Sequence, residues 1–73
     1  MTPIQCKMAR AALGWGVRDL AEEADVAVST VSRFEAEQNI NLSTMTAMKE
    51  ALENGGFQFI PENGGGPGVR LKP

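Results

Sequence analysis

The chain has 73 residues, of which 42 % are hydrophobic and 22 % are charged, and its net charge at pH 7 is −2. This length allows one small domain with a thin core, and the absence of histidine excludes the usual zinc sites and histidine-based acid–base catalysis. No apolar run approaches the roughly 20 residues that span a bilayer, and the amino terminus lacks the pattern of a signal peptide. We therefore expect a cytoplasmic binding module that is not an enzyme and needs no cofactor or metal.

Residues 4–13 contain no helix breaker, and the first helix is predicted to run from Pro3 to Leu13. Thr2 is suited to the N-cap position, a proline occupies the first helical position, and Gln5 completes a capping box. Gly14 can adopt the left-handed conformation that closes a helix. Cys6 lies on one side of this helix, and as the single cysteine of the chain it is interpreted as a core residue.

Two short amphipathic segments follow, residues 17–24 and residues 28–36, and only three residues separate them. The apolar residues that share a face are Leu20, Ala21 and Ala24 in the first segment and Val31 and Phe34 in the second. Such a short connection fixes two helices at a steep angle, whereas a side-by-side helical hairpin generally has longer apolar faces. The pattern therefore predicts two helices that cross.

The small residue Ala21 allows these helices to approach closely, and Val26 can fill the turn between them. This spacing resembles the helix-turn-helix of phage repressors and Cro, the Xre-type regulators, over residues 3–52. The resemblance implies a mainly α, lambda-repressor-like domain of four to five helices, to which the strand pattern of residues 57–60 and 69–72 adds a short C-terminal β-hairpin. It also implies a sequence-specific transcriptional regulator that binds a double-stranded DNA operator.

In that family the second helix of the pair, here residues 28–36, enters the major groove, and the start of the preceding helix approaches the DNA backbone. The DNA-binding residues that the resemblance implies are Val17, Arg18, Val28, Ser29, Thr30, Ser32, Arg33, Gln38 and Asn39. Because Val28 can contact only a thymine methyl group, Arg33 would carry most of any guanine recognition.

The family motif also joins a basic residue on the first helix to an acidic residue that closes the recognition helix. Arg10 and Glu35 occupy these positions here. We interpret them as a structural ion pair and exclude Arg10 from the DNA contacts, because breaking a buried pair would leave a costly unpaired charge.

Three departures from the family pattern weaken the expected affinity for DNA. Asp25 occupies a turn position that is usually glycine, Ala27 offers no N-cap side chain, and residues 37–41 are not basic. The negative net charge, Asp25 and the non-basic residues 37–41 favour an alternative function. The chain could be a protein-interaction module, antiactivator or antitoxin-like, whose partner is another regulatory protein.

A fourth helix is predicted to begin after Asn41 or Ser43 and to run through Glu53, where glycines follow. Its apolar stripe consists of Met45, Met48, Ala51 and Leu52. Residues 57–60 and 69–72 then alternate as two short strands, and we expect the glycine-rich connection between them to be mobile.

We expect residues 1–56 to form the DNA-binding domain and residues 57–73 a hairpin that joins two copies of the chain. An isolated two-stranded hairpin is marginal in water, so its large apolar residues need a second surface. Pairing of two edge strands would create the two-fold symmetry of a palindromic operator. The predicted dimerisation residues are Phe57, Phe59, Val69 and Leu71. The alternative is that Phe57 and Phe59 cover the foot of the fourth helix within one chain.

Overall fold

The computed structural model describes residues 1–60, 64–66 and 68–72. In these residues four helices precede a two-stranded antiparallel hairpin. The elements are α1 (Pro3–Ala12), α2 (Val17–Ala24), α3 (Val28–Glu35), α4 (Leu42–Asn54), β1 (Phe57–Ile60) and β2 (Gly68–Leu71). The predicted fold class and element order are confirmed. None of the helices in this part of the chain has the length and apolar character needed to cross a membrane.

Local side-chain chemistry sets the ends of α1. The Thr2 hydroxyl accepts a hydrogen bond from the Gln5 N–H at 3.2 Å, and the Gln5 side-chain oxygen accepts one from the Thr2 N–H at 2.8 Å. The predicted capping box is thus confirmed. The helix ends one residue earlier than predicted, because Leu13 is its C-cap and Gly14 has a φ of 73°.

The ends of α3 and α4 also follow from short-range signals. Ala27 precedes α3 and provides no side-chain cap, as expected. The helix ends at Glu35, one residue before the predicted end. The α4 helix is capped by Asn41, whose side-chain oxygen accepts a hydrogen bond from the Ser43 N–H at 2.8 Å, and it continues to Asn54.

The apolar faces of the helices meet in one core. The α2 helix packs against α3 and α4, and α1 packs against α3, α4 and β2. The buried hydrophobic residues are Cys6, Ala9, Leu20, Ala21, Val31, Phe34, Met48, Ala51, Leu52 and Phe57. The predicted core role of Cys6 is therefore confirmed, and Ala21 provides the small contact surface that the crossing of two helices requires.

In the hairpin, Phe57 lies opposite Leu71 and Phe59 lies opposite Val69. The second strand begins and ends one residue earlier than predicted, at Gly68 and Leu71. The predicted mobile connection includes residues 61–63 and 67, which lie outside the described residues.

The hairpin packs on its own chain. Phe57 is only 5 % exposed and belongs to the core, with β1 lying against α4 and β2 lying against α1. Gln5 connects α1 to both strands, because its side-chain nitrogen donates to the carbonyl oxygens of Ile60 and Gly68, each at 2.9 Å. The prediction that Phe57 belongs to a dimer surface is therefore wrong, since this side chain fills the core of its own chain.

Candidate nucleic-acid interface

A three-residue turn, residues 25–27, connects α2 to α3, and the two helices cross. Asp25 adopts the left-handed conformation, with φ 55° and ψ 49°. Its N–H donates to the carbonyl of Glu22 at 3.2 Å, and the N–H of Val26 donates to the carbonyl of Ala21 at 2.9 Å. The Val26 side chain is half-buried against the core. Backbone hydrogen bonds and this one apolar side chain thus hold the angle between the two helices.

The α3 helix has two distinct faces. One is buried in the protein and carries Val31 and Phe34, together with the carboxylate of Glu35. The other carries the predicted base-reading residues Val28, Ser29, Ser32 and Arg33, all of which are exposed, while Thr30 is half-buried. An α-helix fits in the major groove of B-DNA, and α3 has a free polar face with one apolar residue, Val28, at its start.

Arg33 extends from the end of α3 toward the connection to α4. Its Nη2 donates to the carbonyl oxygen of Asn39 at 3.4 Å, a long hydrogen bond between exposed groups. The backbone carbonyl of Arg33 accepts a hydrogen bond from the N–H of Gln38 at 2.9 Å. The side chains of Gln38 and Asn39 are exposed. The guanidinium of Arg33 can therefore give up its weak hydrogen bond to Asn39 and donate to a stronger acceptor.

The two predicted residues at the start of α2 differ in exposure. Val17 is half-buried and packs against the core, whereas Arg18 is exposed. The first turn of α2 is closed by Asp19, whose carboxylate accepts a hydrogen bond from the Gly16 N–H at 2.7 Å. Arg18 is consequently the side chain at this position that is free to contact a phosphate.

A partly buried ion pair fixes the end of α3 to α1, as predicted. Arg10 donates to both carboxylate oxygens of Glu35, from Nε at 2.9 Å and from Nη2 at 2.8 Å. Its Nη1 also donates to the backbone carbonyl of Trp15 at 3.0 Å. The side chains of Arg10 and Glu35 are 21 % and 8 % exposed. This network uses the donors of Arg10 inside the fold and agrees with its exclusion from the DNA contacts.

The same network determines the ionisation of its members. Burial by itself would raise the pKa of Glu35, but the hydrogen bonds from Arg10 and Cys6 outweigh it, and the pKa is lowered. Burial, reinforced by the hydrogen bond to Glu35, raises the pKa of Cys6 to about 12. The thiol is therefore protonated and donates to the carboxylate at 3.3 Å. A cysteine in this state is unreactive, which agrees with a structural role.

The described residues bring together no group of three or more side chains of the kind that hold a metal ion. A shallow depression with a volume of about 370 Å³ lies between the start of α1 and the end of α3. Its lining residues are Pro3, Ile4, Lys7, Glu35, Ala36 and Glu37.

Two structural features were not anticipated. Glu37, in the turn after α3, has a φ of 63°, although glutamate has no side-chain chemistry that favours the left-handed region. The glutamate at position 37 therefore gives no sequence signal for such a turn. Gln5 was expected only as a capping residue, and its contacts to β1 and β2 depend on where the hairpin folds.

Residues 7–55 match the family model described as helix-turn-helix. The match extends from α1 to the end of α4 and therefore includes the turn and both helices of the candidate interface. The hairpin lies outside it. No curated protein matches the chain.

Proposed function

This chain belongs to the helix-turn-helix family of Xre-type, lambda-repressor-like DNA-binding domains, and from that membership we propose that it is a transcriptional regulator that binds double-stranded DNA in a sequence-specific manner as a homodimer. The observation that carries the proposal is the free face of α3. Its residues Val28, Ser29, Ser32 and Arg33 are exposed, while the opposite face is held in the core.

Each exposed side chain of α3 has a distinct use in a major groove. The guanidinium of Arg33 can donate to O6 and N7 of a guanine at the same time, a pairing that no other base offers. Val28 offers an apolar contact to a thymine methyl group, and the hydroxyls of Ser29 and Ser32 can donate or accept. Arg18, at the start of α2, would neutralise a backbone phosphate and fix the register.

The test is a titration of the protein with a duplex selected by the protein from a randomised pool. Arg33→Ala should weaken binding to this duplex by about 1 to 3 kcal/mol, which corresponds to a loss of roughly fivefold to 150-fold. Lys49→Ala is the matched control, since it removes one positive charge from α4. Equal affinities for the parent and Arg33→Ala would refute the assignment of α3 as the reading helix.

Dimer formation is proposed through the outer edge of β2. The Lys72 N–H donates to the Gly56 carbonyl at 2.9 Å and therefore faces β1. Because hydrogen-bonding groups alternate along an antiparallel ladder, Arg70 also faces β1, whereas the N–H and C=O of Val69 and Leu71 point away from it. The Leu71 side chain is 71 % exposed. An edge of this kind is suited to pairing with another strand.

The positions of the charged residues Arg70 and Lys72 favour one register for the antiparallel pairing of β2 with β2 of a second copy. A pairing centred on Arg70 would place two arginines opposite each other, and one centred on Leu71 would place Arg70 opposite Lys72. Like charges directly opposite each other are destabilising. A pairing centred on Val69 instead places Arg70 opposite Gly68 of the second copy. We therefore propose a four-stranded sheet with its two-fold axis beside Val69.

Val69→Pro tests this interface, because it removes a donor from the outer edge and leaves the hydrogen bonds between β1 and β2 intact. Deleting the hairpin would be a poorer test, since the deletion would remove Phe57 from the core. The parent and the control Val69→Thr should sediment as two chains, and Val69→Pro as one. A Val69→Pro variant that remains dimeric would place the interface elsewhere, and a monomeric parent would refute the homodimer.

A second candidate function is a protein-interaction module on the same scaffold. It is favoured by two exposed large hydrophobic residues, Ile4 and Leu42, which are 52 % and 70 % exposed. The selection experiment separates the two functions, because an interaction module would enrich no duplex sequence from the randomised pool.

A further inference from the structure

Three helices end in the same backbone motif. After α1, the N–H groups of Gly14 and Trp15 donate back into the last turn at 3.0 and 2.9 Å. After α2, those of Asp25 and Val26 do so at 3.2 and 2.9 Å. The ends of these two helices place a residue with positive φ at the position that most often holds glycine, Gly14 after α1 and Asp25 after α2.

The end of α3 repeats the motif with a different residue. The N–H of Glu37 donates to the carbonyl of Phe34 at 3.0 Å, and the N–H of Gln38 donates to that of Arg33 at 2.9 Å. Among the described residues, Asp25 and Glu37 are the two with positive φ that are not glycine. Both are acidic, and they flank α3 on its two sides.

The carboxylates of Asp25 and Glu37 contribute little to the fold. Both side chains are exposed, and among the described residues neither takes part in an ion pair. Glycine would adopt either backbone conformation more readily. Aspartate tolerates a left-handed backbone better than most residues, which accounts in part for Asp25. Folding does not explain the glutamate at position 37, or why both turns beside α3 carry a negative charge while the corresponding turn after α1 carries glycine.

The position of these turns places both charges near DNA. The α3 helix has eight residues, so its length of about 12 Å is close to the width of the major groove of B-DNA. When this helix occupies the groove, the turns at its two ends remain in or beside the groove. The phosphates that line a groove of this width then lie at separations comparable to the Debye length, roughly 8 Å at physiological ionic strength, so the charges of the turns and the phosphates still interact. Arg33 is the only basic residue among residues 25–39.

We propose that Asp25 and Glu37 are affinity-limiting residues, which repel the DNA backbone on both sides of α3 and weaken binding to duplexes of any sequence. This inference rests on the proposed function, because it places α3 in the major groove. Phosphate contacts supply most of the binding to unrelated DNA and carry no direct sequence information. With this contribution reduced, stable binding depends on the base contacts of two copies at once.

The test compares affinities for a short duplex of scrambled sequence at several salt concentrations. The double variant Asp25→Asn/Glu37→Gln keeps the size of both side chains and removes both charges. It should bind the scrambled duplex on the order of tenfold more tightly at low salt, and the gain should shrink as salt screens the phosphates. Unchanged thermal unfolding of the variant would show that the gain does not come from folding.

The matched control is Glu50→Gln/Glu53→Gln, which makes the same change in net charge near the end of α4. Equal gains in the two double variants would overturn the proposal, because the effect would then come from net charge alone. No gain in Asp25→Asn/Glu37→Gln would also overturn it and would fit carboxylates that serve a protein partner. Failure of the proposed function has a separate signature, since Arg33→Ala would then leave binding to the selected duplex unchanged.

Discussion

Arg10→Met provides the sharpest test of how α3 is held in place. The substitution places an unbranched apolar side chain at this position of α1 and removes every hydrogen bond that Arg10 donates to Glu35 and Trp15. The carboxylate of Glu35 would remain in an environment where it is 8 % exposed, with Cys6 as its one remaining donor. A buried carboxylate without its cation is strongly destabilising.

The magnitude follows from the burial of the two partners. Removing one member of a fully buried pair costs about 3 to 5 kcal/mol. The Arg10 side chain is 21 % exposed, so water screens part of the interaction, and we expect a loss of about 2 to 4 kcal/mol. A domain of this size has a total stability of about 4 to 11 kcal/mol. The single substitution would therefore remove a large part of it.

Urea unfolding followed by the fluorescence of Trp15, the single tryptophan, measures this loss. The double variant Arg10→Met/Glu35→Met is the control, because it replaces both charges and should recover most of the lost stability. A midpoint for Arg10→Met within experimental error of the parent would refute the reasoning. A double variant no more stable than Arg10→Met would show that packing, not the unpaired carboxylate, causes the loss.

Three further predictions concern the same scaffold. Because the pKa of Glu35 is lowered, its ion pair should stabilise the fold fully above the ordinary carboxyl pKa of 4.5. This stabilisation should be lost as the pH falls through the lower pKa of the folded state. The urea midpoint of Glu35→Gln should therefore depend less on acid pH than that of the parent. Gln5→Leu removes the hydrogen bonds that Gln5 donates to the carbonyls of Ile60 and Gly68 and should cost roughly 2 to 4 kcal/mol in urea unfolding, whereas an exposed control, Gln58→Leu, should cost much less. Glu37→Gly relieves the left-handed backbone and should raise stability by up to about 1 kcal/mol, and a lower melting temperature would contradict this.

The parts of the fold that could be predicted from sequence are those set by residues close together in the chain. Thr2 and Gly14 mark the ends of α1 within one residue, because capping depends on neighbouring backbone groups. The pairing of Arg10 with Glu35 was predicted from a family resemblance and not from spacing, since 25 positions separate the two residues. The exposed face of α3 followed from helical periodicity around Val31.

The parts that could not be predicted depend on contacts between distant segments. The periodicity of β1 indicates that Phe57 needs an apolar surface but not which surface, and the core of the same chain supplies it. Gln5 reaches the hairpin across 55 and 63 positions, a separation at which sequence patterns carry no information. The positive φ of Glu37 follows from the hydrogen bonds that end α3, which override the preference of the residue.

Net charge alone could not decide whether this chain binds nucleic acid, and the positions of the acidic residues explain why. Glu35 is neutralised inside the fold by Arg10, so its charge contributes little to the field outside α3. Arg33 and Glu37, which lie two positions before and two positions after Glu35, are exposed and carry opposite charges. The value of −2 for the whole chain therefore sums charges that do not act at the same surface. For the proposed function, what matters is the local balance of charge around α3, where the exposed Arg33 lies in sequence between two exposed carboxylates, and this balance predicts weak binding by one copy and tighter binding by two.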